Sequence, residues 1–140
     1  MDVYKPFVAV VDDDTSVCRA IQRLLRSVGI AAGVFPSGDE FLDALSATPH
    51  YDPGCVILDI QMPGTDGVEV QRRLGGRKLP AIFITVYDDD ETRERVIAAG
   101  AQAYFSKPFD DSVFIQSVCA ALGVQLRAES RAQASVQRSG

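Results

Sequence analysis

Five short, nearly unbroken apolar runs recur along the chain, at residues 7–11, 30–35, 55–58, 81–86 and 103–105, and helical patterning fills the gaps between them. A strand covered on one face alternates apolar and polar residues. A strand covered on both faces has nothing to alternate and reads as a continuous run. The runs therefore predict strands buried between two layers of helix. The gaps carry helix punctuation. Val17, Ile21, Leu24, Leu25 and Val28 repeat at the spacing of one helix face, Arg19, Arg23 and Arg26 take the other, and Gly29 ends the segment. Ser37-x-x-Glu40 is a capping box ahead of Phe41, Leu42 and Leu45. Asp66-x-x-Glu69 opens a similar segment with Val70 and Leu74, closed by Gly75-Gly76. A fourth segment, residues 88–99, packs acids into its first turn, where they favour the positive end of the helix dipole; its apolar face is thin, chiefly Val96, Ile97 and Ala98. The fifth runs from Asp111 with Val113, Phe114, Val118 and Leu122.

The resulting order, β-α repeated five times, predicts an α/β fold: a doubly wound, five-stranded parallel sheet with right-handed crossovers and helices on both faces. The chain's 140 residues suit one domain with a single sizeable core. Residues 5–123 hold all of this patterning, and residues 124–140 are polar and small, as expected of a C-terminal tail or linker.

Charge narrows the partners. Up to residue 123 the chain has 11 Lys and Arg against 18 Asp and Glu, whereas the last 17 residues have three Arg against one Glu. An acidic body is a poor nucleic-acid surface, because phosphate contacts need clustered Lys and Arg. No direct nucleic-acid binding is expected of it, and cations or basic partners suit it better. The longest apolar run is far too short to cross a membrane, and no signal-peptide pattern opens the chain. Three widely spaced cysteines, Cys18, Cys55 and Cys119, without a C-x-x-C, point to free thiols in a reducing cytoplasm.

In an open parallel sheet, ligands bind beyond the carboxyl ends of the strands. The first strand ends in Asp12-Asp13-Asp14, the third in Asp59, the fourth in Thr85 and the fifth in Ser106-Lys107-Pro108. Crowded carboxylates cannot all stay ionised cheaply; either a pKa rises or a cation enters. Hard oxygen ligands suit Mg²⁺. Each residue also has a plain structural reading. Asp14 is well placed to cap the first helix, a lone Asp at a strand end is commonly a turn residue, and a single Lys commonly lies on a solvated face. The combination in this order is what points to a site.

The combination resembles the receiver domain of bacterial two-component response regulators, over about residues 5–123. The motifs are "VVDDD" (10–14), "LDIQMPGTDG" (58–67), "FIT" (83–85) and "KPF" (107–109). The "KPF" ending resembles receivers whose output domain is a helix-turn-helix. The resemblance implies a flavodoxin-like fold with strand order 2-1-3-4-5. It also implies that Asp59 accepts a phosphoryl group from a sensor histidine kinase or a histidine phosphotransfer protein. Asp13 would ligate Mg²⁺ directly, together with Asp59 and the backbone carbonyl of Gln61, and Asp12 would bind the ion chiefly through water. Thr85 would hydrogen-bond one phosphoryl oxygen and Lys107 would pair with another, from an expected cis Lys107–Pro108 peptide. Thr85 and Tyr104, three residues before the lysine, would form the switch, altering the face of the fourth helix, fifth strand and fifth helix. That face is an expected surface for a homodimer on phosphorylation, and regulation of transcription through an output domain beyond this chain is the expected consequence. Such a protein is not an enzyme in the ordinary sense; its only chemistry is Mg²⁺-dependent self-catalysed phosphotransfer and autodephosphorylation.

The chain departs from the family at Val86, where Ala, Gly or Ser is usual; a β-branched side chain there is expected to crowd the phosphoryl pocket. Gln61 and Tyr87 occupy the positions that usually influence hydrolysis of the acyl phosphate. His50 is the sole histidine, which argues against an internal histidine phosphodonor. Two other readings compete. "VVDDDTS" superficially resembles the D-x-D start of haloacid-dehalogenase-like phosphohydrolases, with Asp12 as nucleophile and Asp14 as acid. However, Ser16 stands where that family carries Thr or Val, and "LDIQMPGTDG" is left unexplained. The second is a non-phosphorylated interaction module of the same fold, and the complete set of Asp12, Asp13, Asp59, Thr85 and Lys107 speaks against it; a stand-alone receiver acting by protein–protein interaction is the alternative that keeps phosphorylation.

Overall fold

The computed structural model describes residues 7–75, 77–86 and 88–124. Five strands, β1 (Phe7–Val11), β2 (Ala31–Phe35), β3 (Cys55–Asp59), β4 (Ala81–Thr85) and β5 (Ala103–Ser106), alternate with five helices, α1 (Thr15–Ser27), α2 (Gly38–Ala47), α3 (Gly67–Leu74), α4 (Asp90–Ala98) and α5 (Asp111–Leu122). All strand pairs are parallel and the order is β2-β1-β3-β4-β5. The tail from residue 125 onward and Tyr87 lie outside the described residues.

Alternation along each strand divides the core into two layers. Val8, Val10, Cys55, Ile57, Ile82 and Ile84 face α1 and α5, meeting Cys18, Ile21, Leu25, Phe114 and Val118. Ala9, Val11, Val56, Leu58, Ala81 and Phe83 face the other way, onto Phe41 and Leu45 of α2, Val70 and Leu74 of α3, and Val96 of α4. Fully burying one such side chain contributes about 1.5–3 kcal/mol. Truncating Phe83, buried at the centre of the second layer, to Ala should cost about 3–5 kcal/mol. The continuous apolar runs of β3 and β4 thus have the expected origin: every residue of both strands is buried.

Two boundaries differ from expectation for physical reasons. β2 is an edge strand and three of its five residues are exposed, so its apolar composition does not reflect cover on both faces. Ile30, expected to open it, instead belongs to the turn after α1 and is buried there, its N–H donating to Leu25 O at 2.9 Å. β4 ends at buried Thr85, and Val86 lies beyond it.

The helix ends follow their caps. Asp14, Ser37, Asp66, Asp89 and Asp110 each cap a helix by accepting a backbone N–H. Ser37 and Glu40 form the capping pair, with Glu40 N–H on Ser37 Oγ at 3.1 Å. Gly123 ends α5 at φ 72°, a left-handed conformation that a side chain disfavours. Val124, just beyond it, still packs on the first core layer.

Candidate functional site

Strand register assembles the site. Val11 of β1 pairs with Leu58 of β3, so the next residues, Asp12 and Asp59, emerge side by side at the carboxyl edge. The chain runs from β1 outward to β2, then returns past β1 to β3, so these two acids stand at the sheet's topological switch point. Thr85 ends the neighbouring β4, and Lys107 follows the last residue of β5. The Lys107 N–H donates to Thr85 O at 2.7 Å, fixing the lysine backbone to that edge. The Lys107–Pro108 peptide is cis, as expected.

Asp12 is completely buried and both carboxylate oxygens are bonded. Oδ1 accepts the Asp14 N–H at 2.9 Å and Oδ2 accepts from Lys107 Nζ at 2.9 Å. The Cys18 thiol donates to Asp12 O at 3.3 Å and, pushed up to about 11 chiefly by burial, stays a thiol at neutral pH. Asp59 is nearly buried, and Lys107 Nζ is 3.7 Å from its Oδ1, too far for a hydrogen bond. Burial first, and then the charge on Asp12, push the Asp59 carboxyl up to about 7, with Lys107 pulling the other way. Asp13 is exposed, and a carboxylate oxygen from each of Asp12, Asp13 and Asp59 lies within 4.8 Å of the others.

That cluster passes the test for a hard divalent cation. Its donors are all carboxylate oxygens, they lie within 4.8 Å of one another, and their mutual repulsion is what a cation relieves. Gln61 follows two residues after Asp59 in the β3–α3 connection, with its side chain exposed. The connection is pinned at both ends: Ile60 N–H donates to Ile84 O at 3.1 Å, and Gly67 N–H to Ile60 O at 3.0 Å. Gly67 packs so closely that a Cβ there would collide with the Asp59 carbonyl oxygen. Thr65 Oγ1 donates to Asp39 Oδ1 at 2.7 Å, tying the same loop to α2. Thr85 is wholly buried at the strand end.

Asp14 is spent on the α1 cap: its Oδ1 accepts from Ser16 N–H at 3.0 Å and Ser16 Oγ at 2.6 Å. Asp14, engaged in the cap, is not free to act as the acid that the phosphohydrolase reading requires. Val86 is 60% exposed at the rim beyond Thr85, so any crowding it exerts falls on access from outside. Tyr104 is half-buried, its ring against the second core layer and its hydroxyl donating to Asp88 Oδ1 at 3.0 Å.

Sequence reasoning overlooked three contributors. Gly67 was legible only as a turn residue, although an Asp-Gly pair opening a helix so soon after a buried strand signals close backbone approach. Asp39 lies 26 positions from Thr65, and local patterning holds no trace of that pair. Asp88 reads as one of three acids leading into a helix, yet its carboxylate faces β5.

An apolar groove of about 340 Å³ opens beside Lys107, lined by Val17, Ala20, Ile21, Leu24 and Phe109. Among the described residues no helix is long and apolar enough to cross a membrane.

Comparison with known proteins agrees with this fold. The response regulator receiver domain family matches residues 8–119. The response regulator protein TodT of Pseudomonas putida is 35% identical over 127 residues, which span 89% of this chain and 55% of TodT. The transcriptional regulatory protein FixJ of Azorhizobium caulinodans is 36% identical over 118 residues, 83% of this chain and 54% of FixJ. The crystal structure of a response regulator receiver protein from Burkholderia phymatum superposes with a TM-score of 0.81 at 66% identity, covering 88% of this chain and 99% of that one. The chain spans about half the length of the curated relatives it matches.

Proposed function

The chain belongs to the response regulator receiver domain family, and from that premise we propose that it is the phosphoryl-accepting half of a two-component relay, with Asp59 as the acceptor. The observation that carries the proposal is the setting of Asp59: a carboxylate at the mouth of the core, at the switch point, flanked by two further acids and one lysine. A sensor histidine kinase or a histidine phosphotransfer protein supplies the phosphoryl group, in the cytoplasm. The apolar groove beside Lys107 supports docking of such a donor next to Asp59.

The residues divide the work. The carboxylate of Asp59 attacks phosphorus, forming the acyl phosphate as the donor nitrogen leaves. Asp12, Asp13, Asp59 and the Gln61 carbonyl would hold Mg²⁺, which when bound would supply charge neutralisation at the phosphoryl oxygens. Lys107, with Asp12 as its resting partner, pairs with one of those oxygens, and the Thr85 hydroxyl donates to another. The β3–α3 loop, pinned through Gly67 and Thr65, keeps Asp59 and Gln61 in fixed relation. In autodephosphorylation water attacks the same phosphorus, the bond to the Asp59 carboxylate oxygen breaks, and inorganic phosphate leaves with the carboxylate restored.

The new group adds about 1.5–2 negative charges and three acceptor oxygens. Thr85 moves toward it, Tyr104 turns into the space behind β4, and the face of α4, β5 and α5 changes. Homodimerisation through that face, and control of transcription through an output domain such as those of helix-turn-helix regulators, follow from the switch. The test is incubation with acetyl phosphate with and without Mg²⁺, read by intact mass. One phosphate added only with Mg²⁺ supports the proposal; no uptake under either condition overturns it.

A further inference from the structure

Asp88 lies in the connection between β4 and α4, and side chains from two other elements converge on its carboxylate. Tyr104 Oη from β5 donates to Oδ1 at 3.0 Å, and Arg93 Nη2 from α4 donates to the same oxygen at 2.8 Å. The Arg93 guanidinium stands 5.1 Å from the centroid of the Tyr104 ring, within cation–π range. The tyrosine is thus held at its tip by Asp88 and on its face by Arg93. Little else anchors α4: Thr92 and Val96 are its buried residues, and Gln71 Nε2 ties down its end through Ala99 O at 3.0 Å.

We propose that Asp88 is a positioning residue that latches Tyr104 in its outward orientation and, through Arg93, fixes α4 to the same carboxylate. The proposal rests on the reading of Tyr104 as the switch. An inward turn of the ring separates its hydroxyl from Asp88 and lifts its face from Arg93, so both contacts exist in one state only. Contacts exclusive to one state shift the equilibrium by their own free energy. The latch therefore sets how far the protein is switched before any phosphoryl group arrives. By linkage, it also sets how tightly a phosphoryl mimic binds at Asp59. Because Arg93 belongs to α4, loss of the latch frees helix and tyrosine together.

The test uses the whole chain. In the unphosphorylated protein, NMR contacts between the Tyr104 ring and the Thr85 methyl group should strengthen in Asp88→Ala. The apparent affinity for beryllofluoride with Mg²⁺ should rise about three- to tenfold, the size expected from losing one solvent-accessible hydrogen bond of ordinary strength. Asp88→Asn keeps an acceptor oxygen for the tyrosine and loses the charge facing Arg93, so it should fall between wild type and Asp88→Ala. In a Tyr104→Phe background, Asp88→Ala should add little, because the hydroxyl it acts on is gone. Unchanged ring contacts, unchanged or weaker affinity, or the same gain in the Tyr104→Phe background would overturn the latch. A wild type that takes no beryllofluoride would overturn the phosphoryl-acceptor reading instead, and the ring contacts, read without ligand, would still decide the latch.

Discussion

Lys107 gives its hydrogen bond to Asp12, at 2.9 Å, and stands 3.7 Å from Asp59. The lysine that is to meet a phosphoryl group is held in reserve by the buried acid next door. Removing it leaves the buried Asp12 carboxyl without the cationic partner on its Oδ2. Lys107→Ala should therefore cost about 3–5 kcal/mol of stability, and Asp12→Asn added to it should recover part of the loss. Denaturant titration of the two variants decides this. An equally stable Lys107→Ala protein would show that solvent already compensates Asp12.

Asp13 and Asp14 are neighbours with different duties. Asp13 is exposed and belongs to the carboxylate cluster, whereas Asp14 caps α1. Asp13→Asn should weaken Mg²⁺ binding about tenfold or more, since it removes a ligand from a site with few protein donors. Asp14→Ala should cost about 1 kcal/mol of stability and leave Mg²⁺ affinity nearly unchanged. Calorimetric titration with Mg²⁺ and a thermal melt separate the two; the reverse pattern would move the metal site one residue along the chain.

The raised pKa of Asp59 makes the site a stability cost at neutral pH. A carboxyl raised from 3.8 to about 7 holds its proton more tightly in the folded state than in the unfolded one. Its contribution is fully present below pH 3.8 and is lost as pH rises through about 7. In EDTA, wild-type stability relative to Asp59→Asn should therefore decline between those limits. At neutral pH the Asp59→Asn protein should melt about 3–6 °C higher. Mg²⁺ should narrow the gap by stabilising wild type alone. Melting temperatures that stay parallel across this range would contradict the crowding.

Gly67 has no room for a side chain beneath the Asp59 carbonyl. Gly67→Ala must push the β3–α3 loop away, costing about 1–3 kcal/mol. It should also slow phosphorylation by acetyl phosphate, because Asp59 and Gln61 sit on the displaced backbone. Unaltered stability together with an unaltered rate would mean that the loop yields freely.

Much of this was legible in the chain itself, and what was not has a common cause. Runs such as 55–58 and 81–85 read as buried strands because both faces are covered, and Asp14, Ser37 and Asp66 announced their helices through local bonds spanning two or three residues. Asp12, Asp59 and Lys107 were legible as a cluster because strand ends converge in any parallel sheet. The edge position of β2 followed only from the family resemblance, whose strand order 2-1-3-4-5 places it outermost; composition alone does not say which strand lies at the edge. The Asp88–Tyr104 and Asp39–Thr65 bonds were equally hidden, spanning 16 and 26 residues with no periodic signal between them.

The central claim is that Asp59 alone accepts the phosphoryl group. Its most direct test is site mapping by tandem mass spectrometry after acetyl phosphate treatment with Mg²⁺, on wild type and Asp59→Asn in parallel. The account predicts one phosphate on wild type, trapped at Asp59, and none on the variant. Labelling of the variant to a comparable extent, or a wild-type phosphate mapped to Asp12, Asp13 or any other residue, would contradict it.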